Sequence, residues 1–131
     1  MKALVLGASG TTGKLVVKQL IERNISTRLL IRESAEFPQE LFENHLVETV
    51  KGNINELDSF EMNNLVQSCD VLISCLGSLK GLFGLPRYLV FEAIQSLNKA
   101  VRNNAKKKVK LILMSTTAYT NTLAGRKKLA R

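Results

Sequence analysis

The chain has 131 residues, enough for one domain that buries roughly two thirds of its unfolded surface. Its 45% apolar and 23% charged content excludes disordered and fibrous classes, and no apolar run approaches the ~20 residues that span a bilayer. The net charge of +8 is lopsided: residues 1–92 carry nine Lys/Arg against eleven Asp/Glu, whereas residues 93–131 carry ten Lys/Arg and no acid.

Apolar runs alternate with helical patterns along the sequence, the signature of βαβ units. The first strand is predicted over Lys2–Leu6. Three glycines follow at once in Gly7-Ala8-Ser9-Gly10-Thr11-Thr12-Gly13. A helix over about Thr12–Arg23 comes next, with Leu15, Val16, Leu20 and Ile21 on one face. Asn24 suits a left-handed stop. The second strand is Thr27–Ile31, with Arg32 at its carboxyl end. Proline places a short helix near Pro38–Asn44, and His45 reads as its polar surface end. The third strand is Leu46–Val50, closed by Gly52. A third helix is expected over Glu56–Gln67, with Leu57, Phe60, Leu65 and Val66 facing the sheet. Strand four, Val71–Cys75, is nearly all apolar, as suits a strand covered on both faces. A loop with three glycines, Gly77–Pro86, leads to the longest helix, Arg87–Asn104, with Leu89, Val90, Ala93, Ile94, Leu97 and Val101 core-facing. Strand five is Val109–Met114.

Five parallel strands joined by right-handed crossovers give the order 3-2-1-4-5. The expected fold is therefore a Rossmann-type three-layer α/β/α domain with a parallel sheet over residues 1–118, truncated after strand five. Residues 119–131 form a basic tail, disordered or the start of a missing segment. The switch point falls between strands one and four, so a crevice for a dinucleotide lies within the chain. A strand, a glycine turn and a helix start suit a pyrophosphate. Glycine lets the backbone approach a ligand closely, and the helix N-terminus offers N–H groups and a partial positive charge.

Five features in order carry a resemblance: Leu6-Gly7-Ala8-Ser9-Gly10-Thr11-Thr12-Gly13; Leu30-Ile31-Arg32; Gly52-Asn53-Ile54; Asp70-Val71-Leu72-Ile73-Ser74-Cys75-Leu76-Gly77; and Leu111-Ile112-Leu113-Met114-Ser115-Thr116. Together they resemble the amino-terminal part of an atypical short-chain dehydrogenase/reductase. More narrowly, the chain is similar to the NAD(P)H-binding group of NmrA-like proteins and flavin and biliverdin-IXβ reductases. The resemblance implies that Gly7, Ser9, Gly10, Thr11, Thr12 and Gly13 hold the pyrophosphate. An arginine at the end of strand two accommodates the 2′-phosphate of NADP, and a guanidinium binds it bidentately. Arg32 thus points to NADP(H) over NAD(H), while Glu33 beside it leaves open an inward-turned acid. Where the family has Gly-Asp near the adenine, this chain has Gly52-Asn53, whose amide both accepts and donates. Ile54 would wall the adenine, and Cys75, Leu76 and Gly77 would let the cofactor pass over strand four. Ser115 fits the family's catalytic serine or simply caps the strand end. The accompanying Tyr-x-x-x-Lys pair is absent, since Glu92 stands four residues after Tyr88 and Leu123 four after Tyr119. In the loop before the long helix, Phe83 either stacks on a planar acceptor or plugs the core, and Lys80 or Arg87 would meet an anionic one.

One histidine and two cysteines offer no metal-ligand spacing. If Cys69 and Cys75 share a strand they lie about 20 Å apart, beyond disulfide reach, and read as buried thiols. With no visible signal peptide, a cytoplasmic protein is expected. The reading is an NADP(H)-binding oxidoreductase that passes hydride to a flavin, quinone or similar small acceptor. The alternative is a non-catalytic NAD(P)H-binding redox sensor of the NmrA-like kind. A third reading, nucleic-acid binding through the basic third, ranks below both, and no membrane partner is expected. The apolar edge of strand five is sticky unless covered, so pairing with a second copy is expected there.

Overall fold

Alternation along the strands sorts apolar side chains onto two faces, and each face needs its own cover. In the computed structural model, which describes residues 1–76, 87–104 and 108–114 (backbone alone for 87–91 and 104), both faces have it. The elements are β1 (Lys2–Leu6), α1 (Thr11–Glu22), β2 (Ser26–Ile31), α2 (Gln39–Phe42), β3 (Val47–Lys51), α3 (Ser59–Val66), β4 (Val71–Ser74), α4 (Arg87–Asn104) and β5 (Lys110–Leu113). A 3₁₀ turn, Ile54–Glu56, separates β3 from α3. All four strand pairs are parallel, in the order β3-β2-β1-β4-β5, as the sequence predicted. Leu4, Leu6, Leu30 and Leu72 bury one face with Met62, Leu65 and Val66 of α3 and Ala93, Leu97 and Ala100 of α4. Val5, Leu29 and Ile31 bury the other with Val17 of α1, backed by Phe37 and Leu41.

The strand register aligns the carboxyl ends. Leu6 pairs with both Leu30 and Ser74, and Ile31 with Lys51. Gly7, Arg32, Gly52 and Cys75 therefore leave their strands along one edge of the sheet. Asn24 adopts the predicted left-handed conformation, φ 60°. His45 is exposed in the turn between α2 and β3, just beyond the helix it was expected to end.

Leu57, Leu65 and Val66 on one side and Val16, Leu20 and Ile21 on the other pack against the core as expected, but each set departs at one residue. Phe60 is 71% exposed, not core-facing. The third helix begins late, because Asp58 caps it: the Asp58 carboxylate accepts from the Glu61 N–H at 2.8 Å and Glu61 accepts from the Asp58 N–H at 3.0 Å. This reciprocal box satisfies two orphan donors and fixes the start at Ser59. Met62, Leu65 and Val66 then face inward and Phe60 outward. In α1, Leu15 is 56% exposed while Gly13 and Val17 form the buried line, because Gly13 presses against the turn that follows β1.

One buried charge was not anticipated. Arg28 in the middle of β2 turns its guanidinium toward the carboxyl end of α3. Its Nη1 donates toward the Leu65 carbonyl at 2.7 Å, Gln67 at 2.9 Å and Asn64 at 3.2 Å. A cation there complements the helix dipole. Glu48 lies 3.2 Å from Arg28 Nε as an ion pair without hydrogen-bond alignment, and accepts from Lys2 Nζ at 2.9 Å. The hydrogen bond from Lys2, opposed by partial burial and helped by Arg28, holds the Glu48 carboxyl below its ordinary value of 4.5.

The two edges of the sheet differ. On β3, Glu48 and Lys51 break the edge with charge, and Lys51 Nζ lies 5.8 Å from the Phe42 ring centre. On β5 and just past its end, Leu111, Ile112, Leu113 and Met114 are 40–50% exposed. No helix among the described residues is long and apolar enough to cross a membrane.

Candidate functional site

The turn between β1 and α1 is built by two glycines that nothing else can replace. Gly7 has φ +73°, the left-handed region that side chains avoid. A methyl group on it would also lie 2.8 Å from the Cys75 carbonyl carbon and 2.9 Å from the Leu76 nitrogen. The turn is thus pressed against the end of β4, where the Cys75 N–H donates to Leu6 O at 2.9 Å. A methyl group on Gly13 would lie 2.0 Å from Gly7 O, so helix and turn touch through backbone alone. The turn closes with Gly10 N–H donating to Gly7 O at 3.2 Å.

Gly10 is different. It is exposed, has ordinary φ of −76°, and a methyl group there would meet only Gly7 O at 3.5 Å, an ordinary contact. The fold does not demand glycine at this position. Gly10 is also the N-cap of α1, and no side chain caps the helix or adds an acid to its first turn. Unlike α3, with its Asp58 box, α1 opens onto solvent with its first N–H groups unserved by side chains. Thr11 and Thr12 are exposed beside them and Ser9 is half-buried. An uncapped helix start behind a glycine turn fits a phosphate group, because the donors converge and the helix dipole favours negative charge.

Further along the same edge, Arg32 is exposed at the end of β2, and its carbonyl accepts from Ala35 N–H at 3.0 Å in a turn. Among the described residues no ion pair engages it, Glu33 included. A guanidinium so placed is free to meet an anion bidentately. Gly52 N–H donates to Ile31 O at 2.9 Å, which brings Asn53 beside Arg32. Asn53 is half-buried and its Oδ1 accepts from Asn55 N–H at 3.0 Å. Ile54 is buried in the α3/α4 core and anchors this turn. Cys75 and Leu76, both half-buried, close the crevice on the β4 side. Burial pushes the Cys75 thiol up, so it is no activated nucleophile. Burial raises the Cys69 thiol as well, against the opposing pull of Arg28.

The edge therefore brings together Gly7, Ser9, Gly10, Thr11, Thr12 and Gly13 with Cys75 and Leu76, and sets Arg32 and Asn53 side by side. Gly77 and Ser115, like Lys80 and Phe83, lie outside the described residues. Among those described, no group of three acidic, cysteine or histidine side chains could hold a metal.

The architecture is similar to that of a short-chain dehydrogenase/reductase (wide type) from Veillonella parvula solved in complex with NADP. The TM-score is 0.70 at 16% identity, covering 98% of this chain and 54% of that one. Uronate dehydrogenase from Agrobacterium tumefaciens gives a TM-score of 0.65 at 20% identity, over 88% of this chain and 40% of that one. An isoflavone reductase gives 0.57 at 25% identity, over 80% and 34%. These proteins share the fold, and the chain spans about half of their length or less. A family model described as NAD(P)H-binding matches residues 7–129, nearly the whole sequence, and the chain belongs to that family.

Proposed function

We propose that the chain binds NADP(H) in preference to NAD(H) and belongs to an oxidoreductase that reduces a flavin, quinone or similar small acceptor. The observation that carries this reading is the uncapped α1 start behind the Gly7–Gly13 turn, with Arg32, which makes no ion pair among the described residues, farther along the same edge. In this reading the backbone N–H groups at the start of α1, with Ser9, Thr11 and Thr12, hold the diphosphate. Arg32 binds the 2′-phosphate of the ribose, and the Asn53 turn rooted by Ile54 borders the base. Cys75, Leu76 and Gly77 form the path across β4 toward the reactive ring, where Ser115 serves the reacting end. The reduced nicotinamide, when bound, supplies hydride to a conjugated acceptor, and the protein's part is to orient it and exclude water. The solved Veillonella protein carries NADP, in keeping with this preference.

We place the protein in the cytoplasm, with residues 1–118 as the nucleotide domain and 119–131 as a basic tail. A second copy pairs along the β5 edge. Titration with NADPH and NADH, for the natural chain and for Arg32→Ala, tests the cofactor. An about tenfold or greater loss of NADPH affinity with NADH unchanged supports it, since a charge-assisted contact contributes roughly 1.5–3 kcal/mol. Equal losses for the two refute Arg32 as the phosphate contact. NADPH oxidation with flavin or quinone acceptors then separates an enzyme from a regulator that binds without turnover.

A further inference from the structure

We infer that two copies of the chain pair β5 against β5 in antiparallel register, about a two-fold axis at Ile112. This rests on the reading that a second copy pairs along that edge, and it sets the direction and register of the pairing. Among the described strands β5 bonds only β4, in a parallel ladder. Lys110 N–H donates to Asp70 O at 3.1 Å and Met114 N–H to Ser74 O at 3.0 Å. Backbone groups alternate in the side they face along a strand, so residues 110, 112 and 114 address β4. The N–H and C=O groups of Leu111 and Leu113 therefore point out along the open edge.

The side chains divide as well. Leu111 stands level with Leu72, and Ile112 with Ile73. Leu111 and Leu113 thus lie on the α3/α4 face with Leu72, and Lys110, Ile112 and Met114 on the α1 face with Ile73. Leu111 through Met114 are 40–50% exposed, so the described helices leave both faces partly bare.

A second copy answers the edge and both faces in one arrangement. In an antiparallel ladder, residues that exchange hydrogen bonds stand directly opposite each other. With the axis at Ile112, Leu111 stands opposite the partner's Leu113 and Leu113 opposite the partner's Leu111, which engages both outward-pointing residues of each strand. Ile112 meets the partner's Ile112 as a non-bonded pair, where side chains come closest. A two-fold normal to the sheet keeps the faces in common, so apolar side chains meet on both of them. The two five-stranded sheets become one, and their dinucleotide crevices open at opposite ends of it.

Charge and strand length select this register. It sets Lys110 opposite the partner's Met114 and keeps the two copies of Lys110 about 14 Å apart, four positions along the ladder. An axis at Leu111 would bring Lys110 diagonal to the partner's Lys110 at about 7–8 Å on one face, where like charges repel. An axis at Leu113 would run Leu111 past the end of the partner's strand. A two-fold that keeps the strands parallel lines up like residues, whereas the slanted bonds of a parallel ladder join residues that are offset.

Single-cysteine variants on β5, oxidised with diamide and read on a non-reducing gel, test direction and register together. Cα atoms of a non-bonded antiparallel pair lie about 4.5 Å apart, within disulfide range. Ile112→Cys should double in mass. Lys110→Cys and Met114→Cys should each stay single alone and join when mixed before oxidation. Leu111→Cys, about 8 Å from its counterpart, should stay single. So should the natural chain, whose Cys69 is buried and Cys75 half-buried. A crosslink at Leu111→Cys with none at Ile112→Cys overturns the register. Association by light scattering that Ile112→Lys abolishes, with no crosslink at any of these positions, overturns the inference while pairing at β5 stands. A natural chain that is monomeric, or an Ile112→Lys chain that still associates, overturns pairing at β5 itself, and the edge then belongs to another occupant.

Discussion

Alanine at Gly13 separates what helix propensity says from what the turn demands. Gly13 lies inside α1, where Gly→Ala ordinarily stabilises by up to about 1 kcal/mol. Here the added methyl would sit 2.0 Å from Gly7 O, against an ordinary contact of 3.4 Å or more, so something must retreat by over an ångström. The carbonyl has little room. Gly7 is already in close backbone contact with Cys75 and Leu76 and accepts from Gly10 N–H. Overpacking of this severity costs about 3 kcal/mol, at the upper end of core insertions. Net of propensity, Gly13→Ala should destabilise by about 2 kcal/mol, a fall in Tm of roughly 6–10 °C for a domain of this size. Gly10→Ala is the control: its methyl meets only Gly7 O at 3.5 Å, and the loss of an N-cap glycine is offset by reduced unfolded-state entropy. It should stay within about 1 kcal/mol of the natural chain yet weaken NADPH binding, because the methyl stands where a phosphate would approach. Thermal unfolding followed by circular dichroism measures both stabilities. A Gly13→Ala protein as stable as the natural chain, or more so, refutes the close helix–turn contact.

Arg28→Met removes a buried cation from the carboxyl end of α3 and should cost about 3 kcal/mol in denaturant unfolding; a loss under about 1 kcal/mol would mean that the three carbonyls are satisfied without it. The folded protein holds the Glu48 carboxyl below its ordinary value. Its contribution is therefore full above about pH 4.5 and lost as pH falls through the lowered value. The stability difference between the natural chain and Glu48→Gln should shrink as pH falls below about 4.5 and through the lowered value; a constant difference contradicts the ion pair, whose half-exposed carboxylate keeps the effect small. Light scattering of the dilute chain should show association that grows with concentration and disappears in Ile112→Lys, because a lysine guards an open strand edge. A natural chain that is monomeric throughout refutes pairing at β5.

The sheet was legible because fully covered parallel strands are continuous apolar runs, and runs such as Ala3–Leu6 and Val71–Ile73 admit little else. The glycine turn was legible for a related reason: Gly7 and Gly13 are required by backbone geometry, and geometry leaves few residue choices. The errors came where helix starts are set by side chains. Asp58-x-x-Glu61 is a capping pattern in plain sight, and reading it would have moved the third helix past Leu57 and turned Phe60 outward. Arg28 carried a signal too, a lone charge within the apolar run Leu29-Leu30-Ile31 and its neighbours. Its partners are carbonyls near the end of α3, some 36 to 39 residues away in sequence, which no local pattern reveals. The orientation of the Asn53 amide was equally hidden, since it depends on a hydrogen bond and not on residue type.

Amide chemical-shift mapping of the ¹⁵N-labelled chain during titration with NADPH tests most directly whether the first turn of α1 grips a diphosphate. The largest, saturating shifts are expected at the backbone N–H groups of Ser9 through Gly13, with a second group near Arg32 and Asn53. Saturable binding that leaves the Ser9–Gly13 amides unmoved would contradict the account.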